Sequence, residues 1–204
     1  MKVVREKWFS LWKRPLIDRN HSLPRCRAFP LRRPPGTMGL LGPPHETRCT
    51  RGASVVLAGV AGYCVAAYAM GTYTVLDTAS LIVHEAGHFF FRPFGWTLFL
   101  LGGSLFQLLL PLLFVWHFLR GGYRPGVQVA LTWLGQNALN VSTYATDAQE
   151  RALPLITGDP ASHDWWQLLR AADLLAYDDG VGHAFFALAL LAFAAAVLAP
   201  RVLP

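Results

Sequence analysis

The feature that most constrains this fold is a set of long stretches without charged side chains. The first runs from residue 53 to residue 75, and a helix of those 23 residues is long enough to cross a hydrocarbon core of about 30 Å. Charged residues make up 15% of the chain, whereas soluble domains carry about 25%. The sequence therefore predicts an all-α fold, a polytopic helical membrane protein with four to five transmembrane helices in one domain over residues 53–204.

The apolar stretches and their boundaries define five predicted helices. The second stretch ends near Arg92 and Pro93, because a helix normally ends by the residue before a proline. The predicted helices cover residues 53–75, 78–91, 96–119, 127–145 and 181–199. Residues 147–180 hold seven of the nine acidic residues that follow residue 52. We expect this segment to be a polar cytoplasmic loop with a short helix over residues 164–175.

Basic residues are concentrated in an N-terminal arm, residues 1–52. The arm has 12 Lys and Arg against 3 Asp and Glu, a charge of +9, whereas residues 53–204 have 6 Arg against 9 acids, a charge of −3. Excess Lys and Arg beside a membrane helix indicates its cytoplasmic end, so we expect a cytoplasmic N-terminus and no nucleic-acid partner. The arm also holds seven of the 14 prolines, which predicts disorder, or a misassigned start if translation begins at Met38.

One short motif points directly to metal chemistry. His84, Glu85 and His88 form an HExxH sequence inside the second apolar stretch. On a helix, residues four apart share a face, so both imidazoles can bind one zinc ion while Glu85 acts as general base toward zinc-activated water. The alternative is a polar packing cluster. Ionisable groups are costly within a membrane segment and usually functional there, which favours the metal site.

A zinc site of this kind needs a third protein ligand and an open position for water. Asp147 is the leading candidate, because it ends the fourth predicted helix on the same membrane side as the end of the second. His163 and Asp164, in the sequence SHDWW, are the alternates, since each offers a zinc-type donor. The competing interpretation of SHDWW is the start of a surface helix, with Asp164 in its first turn.

Polar residues within apolar segments indicate a water-accessible cavity. Gln136, Asn137 and Asn140 in the fourth helix are predicted to line it. Gln107 in the third helix is a candidate for a hydrogen bond to substrate or to a developing oxyanion.

Three stretches give the chain a resemblance to the site-2 protease family of intramembrane zinc metalloproteases, in its compact bacterial form without a PDZ domain. LIVHEAGHFFFRPFG resembles that family's metal-binding helix, LLGGSLFQLLLP is similar to its AGPxxN segment, and NALNVSTYATDA resembles the stretch that ends in the third ligand. In this match Gly103 takes the place of the family's glycine, and Gln107 replaces its asparagine. Ala148 stands where the family has a glycine.

The resemblance implies an intramembrane protease of a bacterial plasma (inner) membrane. It implies zinc as cofactor, Asp147 as third ligand, Asn137 or Asn140 as the upstream asparagine, and a membrane protein or peptide in the lipid bilayer as substrate. The rival is a non-catalytic membrane protein whose metal site is structural or transport-related.

Overall fold

A computed structural model describes the backbone of residues 44–202 and the side chains of residues 52–200. Within these ranges the chain is helical and contains no strand, which confirms the predicted fold class. The helices are α1 (Pro44–Ala69), α2 (Val75–Phe91), α3 (Trp96–Arg120), α4 (Arg124–Thr146), α5 (Asp164–Ala171) and α6 (Asp178–Val202). Three short 3-10 turns, Arg92–Phe94, Pro160–Ser162 and Leu175–Tyr177, join them.

Among the described residues, three segments are long and apolar enough to cross a membrane: Gly52–Ala69, Trp96–Arg120 and Leu175–Pro200. The predicted number of four to five is therefore not confirmed. Helix α2 has only 17 residues. Helix α4 buries polar side chains such as Gln128 and Gln136, which lower its overall hydropathy.

Helix α4 lies at the centre of the fold and packs against α1, α3 and α6. Small residues let these helices approach closely, as they do in membrane bundles. Phe193 of α6 lies directly over Gly135 of α4, where a methyl group would overlap its ring. Phe193 also packs with Ala138 and Ala189 in a buried cluster between the two helices.

Helix α2 begins earlier than predicted, and Asp77 is part of the reason. Thr74 is its N-cap, and its side chain accepts a hydrogen bond from the backbone N–H of Asp77. The Asp77 carboxylate in turn accepts from the backbone N–H of Thr74, which completes a capping box. Asp77 therefore helps to start this helix.

Helices α2 and α3 approach each other at their backbones, because glycines face one another across the contact. A Cβ atom at Gly87 would overlap the carbonyl group of Gly102. Gly102 and Gly103 lie inside one continuous helix, α3, as predicted for residues 96–119. Because of this close approach, the face of α2 that carries His84 and His88 is in direct contact with α3.

Most of the N-terminal arm lies outside the described residues. The predicted disorder of the arm and the predicted start at Met38 fall in that part of the chain. The last part of the arm is helical, since α1 starts at Pro44. Proline suits the first turn of a helix, where its missing N–H has no partner to lose.

Candidate metal centre

His84 and His88 project from one face of α2 toward the same carboxylate, that of Asp164. Nε2 of His84 lies 3.0 Å from Oδ2 of Asp164, and Nε2 of His88 lies 3.2 Å from the same oxygen. His84 is 5% exposed, and its ring meets that of His88 edge-on with centroids 4.7 Å apart. One donor atom from each of the three residues therefore converges on one small volume.

Asp164 reaches this volume because it is the first residue of α5. His163 is the N-cap, and its Nδ1 accepts the backbone N–H of Trp166 at 3.2 Å. The Tyr144 hydroxyl from α4 donates to Oδ2 of Asp164 at 3.2 Å and accepts its backbone N–H at 3.0 Å. The carboxylate is thus fixed from both its side chain and its backbone.

Burial and charge act in opposite directions on Asp164. Burial raises the pKa of a carboxyl group, but the hydrogen bonds and positive charge of His84 and His88 outweigh it and lower the pKa of Asp164 overall. The carboxylate form that a metal ion requires is therefore favoured.

His163 is fully buried and takes no part in the convergence. Burial lowers the pKa of its imidazole, which favours the neutral ring. Since Nδ1 accepts a hydrogen bond from Trp166, the proton of the neutral ring is on Nε2, which lies 3.4 Å from Oδ2 of Asp147. The ring also packs against that of Tyr144 in a tilted arrangement, with centroids 4.2 Å apart. His163 therefore positions its neighbour Asp164.

The hydrogen bonds of His88 determine which of its ring nitrogens faces the site. Nδ1 of His88 lies 2.7 Å from the backbone carbonyl oxygen of Phe99, which can only accept, so Nδ1 carries a proton. Nε2 of His88 then faces the Asp164 carboxylate, 3.2 Å away, and in the neutral ring its lone pair is available to a metal ion. A metal ion binds there by taking the place of the proton that these two atoms otherwise share.

The spacing of the donors agrees with this interpretation. Ligands about 2.1 Å from a tetrahedral zinc ion lie roughly 3.4 Å from one another. The two distances from Nε2 to Oδ2, 3.0 and 3.2 Å, are within a few tenths of that spacing. Two imidazole nitrogens and one carboxylate oxygen are also a donor set that zinc binds.

The three donors lie in the wall of a cavity of about 740 Å³. Glu85, beside them on α2, lines the same cavity. Aromatic side chains contribute much of the wall: Tyr68, Tyr73, Trp96, Phe99 and Tyr144. Residues 153–157, from the segment between α4 and α5, also line it. The site therefore adjoins a space large enough for several residues of a peptide.

The carboxylate of Asp77 lies in the wall of this cavity, two helical turns before His84 in α2. Asp77 accepts hydrogen bonds on Oδ1 from Gln136 at 2.8 Å and from Asn140 at 3.3 Å. Both donors come from α4, as the sequence predicted for a polar cavity wall.

The structure does not bring Asp147, the leading sequence candidate, to the two histidines. Its carboxylate accepts the backbone N–H groups of Ala152 and Leu153 at 2.9 and 3.1 Å. Asp147 is the C-cap residue of α4, and its side chain stabilises the turn that follows. Asp164, which the sequence offered as an alternate, occupies the position instead.

Of the other predicted polar residues, Gln107 and Asn140 lie at the site and Asn137 does not. Gln107 is at the site, 1% exposed, with Oε1 2.9 Å from Nδ1 of His84. Asn140 lies behind it and accepts from Nε2 of Gln107 at 2.8 Å. Asn137 points elsewhere, because its side chain donates to the carbonyl oxygen of Trp133 one turn back in α4.

Sequence reasoning missed Tyr144 and the hydrogen-bonding role of Asp77. A signal for Tyr144 was present, since Gln136, Asn140 and Tyr144 are spaced four residues apart and share one face of α4.

Comparison with known proteins adds no relative: no family model, no curated protein and no solved structure matches this chain.

Proposed function

We propose that this protein is an intramembrane zinc metalloprotease that hydrolyses a peptide bond of a membrane protein or membrane peptide. One observation carries the proposal: His84, His88 and Asp164 converge beside Glu85 in the wall of a large cavity. The HExxH spacing supplies two of these donors and the carboxylate between them in sequence. The three apolar helices support a membrane location.

In this proposal His84, His88 and Asp164 hold the zinc ion, which leaves a fourth position open. Bound zinc supplies a Lewis acid that polarises the scissile carbonyl and lowers the pKa of water toward about 7. Glu85 accepts the proton of the attacking water and then donates it to the leaving amine. The cavity holds the substrate segment against these groups.

The substrate has to be extended where it is cut. A membrane helix pairs all its backbone groups internally, so its scissile carbonyl is inaccessible until the helix unwinds locally. Polar side chains in the cavity, including Asn140 and Thr143, offer partners to the backbone groups released by unwinding. We place the protein in a bacterial plasma membrane, as the resemblance to site-2 proteases implies, and its basic arm in the cytoplasm, on the charge asymmetry of the sequence.

The test combines zinc content with cleavage. The full chain is purified in detergent, its zinc is measured by elemental mass spectrometry, and cleavage of a library of transmembrane peptides is followed by mass spectrometry. We expect about one zinc per chain and zinc-dependent cleavage, from the three-ligand site. Glu85→Gln keeps the zinc and loses the cleavage.

Two results would count against the proposal in different ways. Undiminished cleavage by Glu85→Gln refutes the catalytic role of Glu85. Stoichiometric zinc without cleavage of any library peptide favours a non-catalytic metal site that joins α2 to α5.

A further inference from the structure

A continuous chain of side-chain hydrogen bonds joins Asp77 to the proposed metal ligand His84. Asn140 donates to Oδ1 of Asp77 at 3.3 Å, and Gln107 donates to Oδ1 of Asn140 at 2.8 Å. Oε1 of Gln107 then lies 2.9 Å from Nδ1 of His84. Three helices contribute to this chain, which runs along the cavity wall and into the contact between α2 and α3.

The direction of every hydrogen bond in this chain follows from its first member. A carboxylate only accepts, so the group of Asn140 that meets Asp77 is its NH₂. The Asn140 oxygen therefore faces Gln107 and accepts from the Gln107 NH₂, which turns the Gln107 oxygen toward His84. An oxygen that only accepts requires a proton on the Nδ1 atom of His84.

We propose that Asp77 is a positioning residue for the metal site, which acts through Asn140 and Gln107 to keep a proton on Nδ1 of His84. The Nε2 lone pair of His84 is then free to bind metal. Asp77 touches neither metal nor substrate in this role. This inference rests on the proposed metal site. It makes Asp77, two helical turns from His84, a residue that affects metal affinity.

The chain of hydrogen bonds matters because Asp164 favours the opposite arrangement. Its carboxylate lies 3.0 Å from Nε2 of His84, well placed to accept a proton carried by that nitrogen. A neutral His84 with its proton on Nε2 would donate to Asp164, and neither group would then be available to a metal ion. The Gln107 oxygen opposes this tautomer, because it can form a hydrogen bond with His84 only when Nδ1 carries the proton.

Asp77 is held in place independently of this chain. Its other oxygen, Oδ2, accepts from both the backbone N–H and the hydroxyl of Thr74 at 2.7 Å. Gln136 also donates to Oδ1. Asp77 is thus a fixed acceptor that sets the orientation of the amide groups.

Two substitutions of similar shape separate the positioning role from general damage. Asn140→Leu breaks the chain between Asp77 and Gln107. Gln136→Met removes the other side-chain hydrogen bond to the same Asp77 oxygen but leaves the chain to His84 intact. Outer-shell hydrogen bonds are typically worth 10- to 100-fold in metal affinity. We expect Asn140→Leu to raise the zinc Kd about tenfold or more, and Gln136→Met to leave it nearly unchanged.

A third substitution, Gln107→Glu, should keep the proton on Nδ1 of His84 even when Asn140 is replaced. In Gln107→Glu the carboxylate can only accept, so it keeps the proton on Nδ1 of His84 without any help from Asn140. Adding Asn140→Leu to this variant should therefore no longer weaken zinc binding. Persistence of the full loss in the double variant would assign the effect of Asn140→Leu to structural damage and overturn the proposal.

The position of the proton is measured directly on zinc-free, full-length protein carrying ring-¹⁵N histidine, with His84→Ala to assign the signal. We expect a protonated Nδ1 on His84 in the wild type and in Gln136→Met, and its loss in Asn140→Leu. A neutral His84 protonated only on Nε2 in the wild type, or equal zinc affinities for Asn140→Leu and Gln136→Met, would overturn the proposal. A wild type that binds no zinc but shows the expected Nδ1 proton refutes the metal site alone.

Discussion

The Nε2 atom of His84 and the Oδ2 atom of Asp164 lie 3.0 Å apart although 80 residues separate them in the chain. His84 is set by the packing of α2 on α3, and Asp164 by the cap and tyrosine contacts at the start of α5. The two halves of the candidate site are thus positioned by separate parts of the fold, which can be tested separately.

Asp164→Ala tests the third ligand. We expect this variant to lose zinc during purification, with an affinity loss larger than the roughly 10- to 100-fold that outer-shell changes produce. Metal content of the detergent-purified protein, measured by elemental mass spectrometry, reports the result.

Asp147→Ala is the matched control, because it removes another carboxylate from the same polar segment. We expect it to keep a full complement of zinc and to lose about 1–3 kcal/mol of stability, since two backbone N–H groups lose their acceptor. Loss of zinc from Asp147→Ala together with its retention in Asp164→Ala would contradict our assignment.

Gly103→Ala tests the close contact between α3 and the His84 ring. A methyl group at Gly103 would overlap the imidazole, so the ring has to move away from Asp164. We expect a lower zinc affinity and a loss of about 1–3 kcal/mol in stability from overpacking. Thermal unfolding and zinc titration measure the two effects.

Gly59→Ala in α1 provides the comparison for this prediction. A methyl group there meets no atom within 4 Å among the described residues. Its zinc affinity should match the wild type, and its stability should be equal or higher by up to about 1 kcal/mol, because alanine favours a helix more than glycine does. Equal behaviour of the two alanine variants would refute the steric argument.

His163→Ala tests whether His163 acts as a cap or as a ligand. The variant loses the acceptor for the Trp166 N–H, which costs about 0.5–2 kcal/mol at a helix N-terminus, and it still binds one zinc per chain. His163→Asn should recover part of that stability, because asparagine is among the best N-cap residues. Loss of zinc from His163→Asn at normal stability would make His163 a ligand.

Removal of zinc should destabilise the protein by mass action. At a free zinc concentration 100 times the Kd, binding adds about 2.7 kcal/mol to the free energy of unfolding. A chelator should therefore lower the melting temperature of the wild type by several degrees but leave that of His84→Ala unchanged. Equal shifts in the two proteins would show that the chelator acts elsewhere.

The sequence predicted the helical fold and half of the candidate site, for a clear reason. The spacing of His84 and His88 determines their common face once α2 is a helix. Apolar runs likewise located α3 and α6 to within a few residues at their ends.

The identity of the third donor residue depends on tertiary structure, which the spacing of residues in the sequence does not encode. Asp147 and Asp164 both lie near helix ends, and only the path of residues 148–162 decides which carboxylate meets the histidines. That path depends on backbone hydrogen bonds to Asp147 and on the contact between His163 and Tyr144, both of which form between segments. The sequence could therefore name Asp164 as an alternate but could not rank it first.

The order of the three donors along the chain has a consequence for biosynthesis. Both histidines leave the ribosome long before Asp164, which follows only after α3 and α4 have been made. During that interval the nascent chain offers two imidazoles without their carboxylate, so a metal ion captured early is held by an incomplete set of donors. With the proposed metal site, tight binding has to wait until α5 docks, and acquisition of metal would then mark a chain in which Asp164 has reached the histidines.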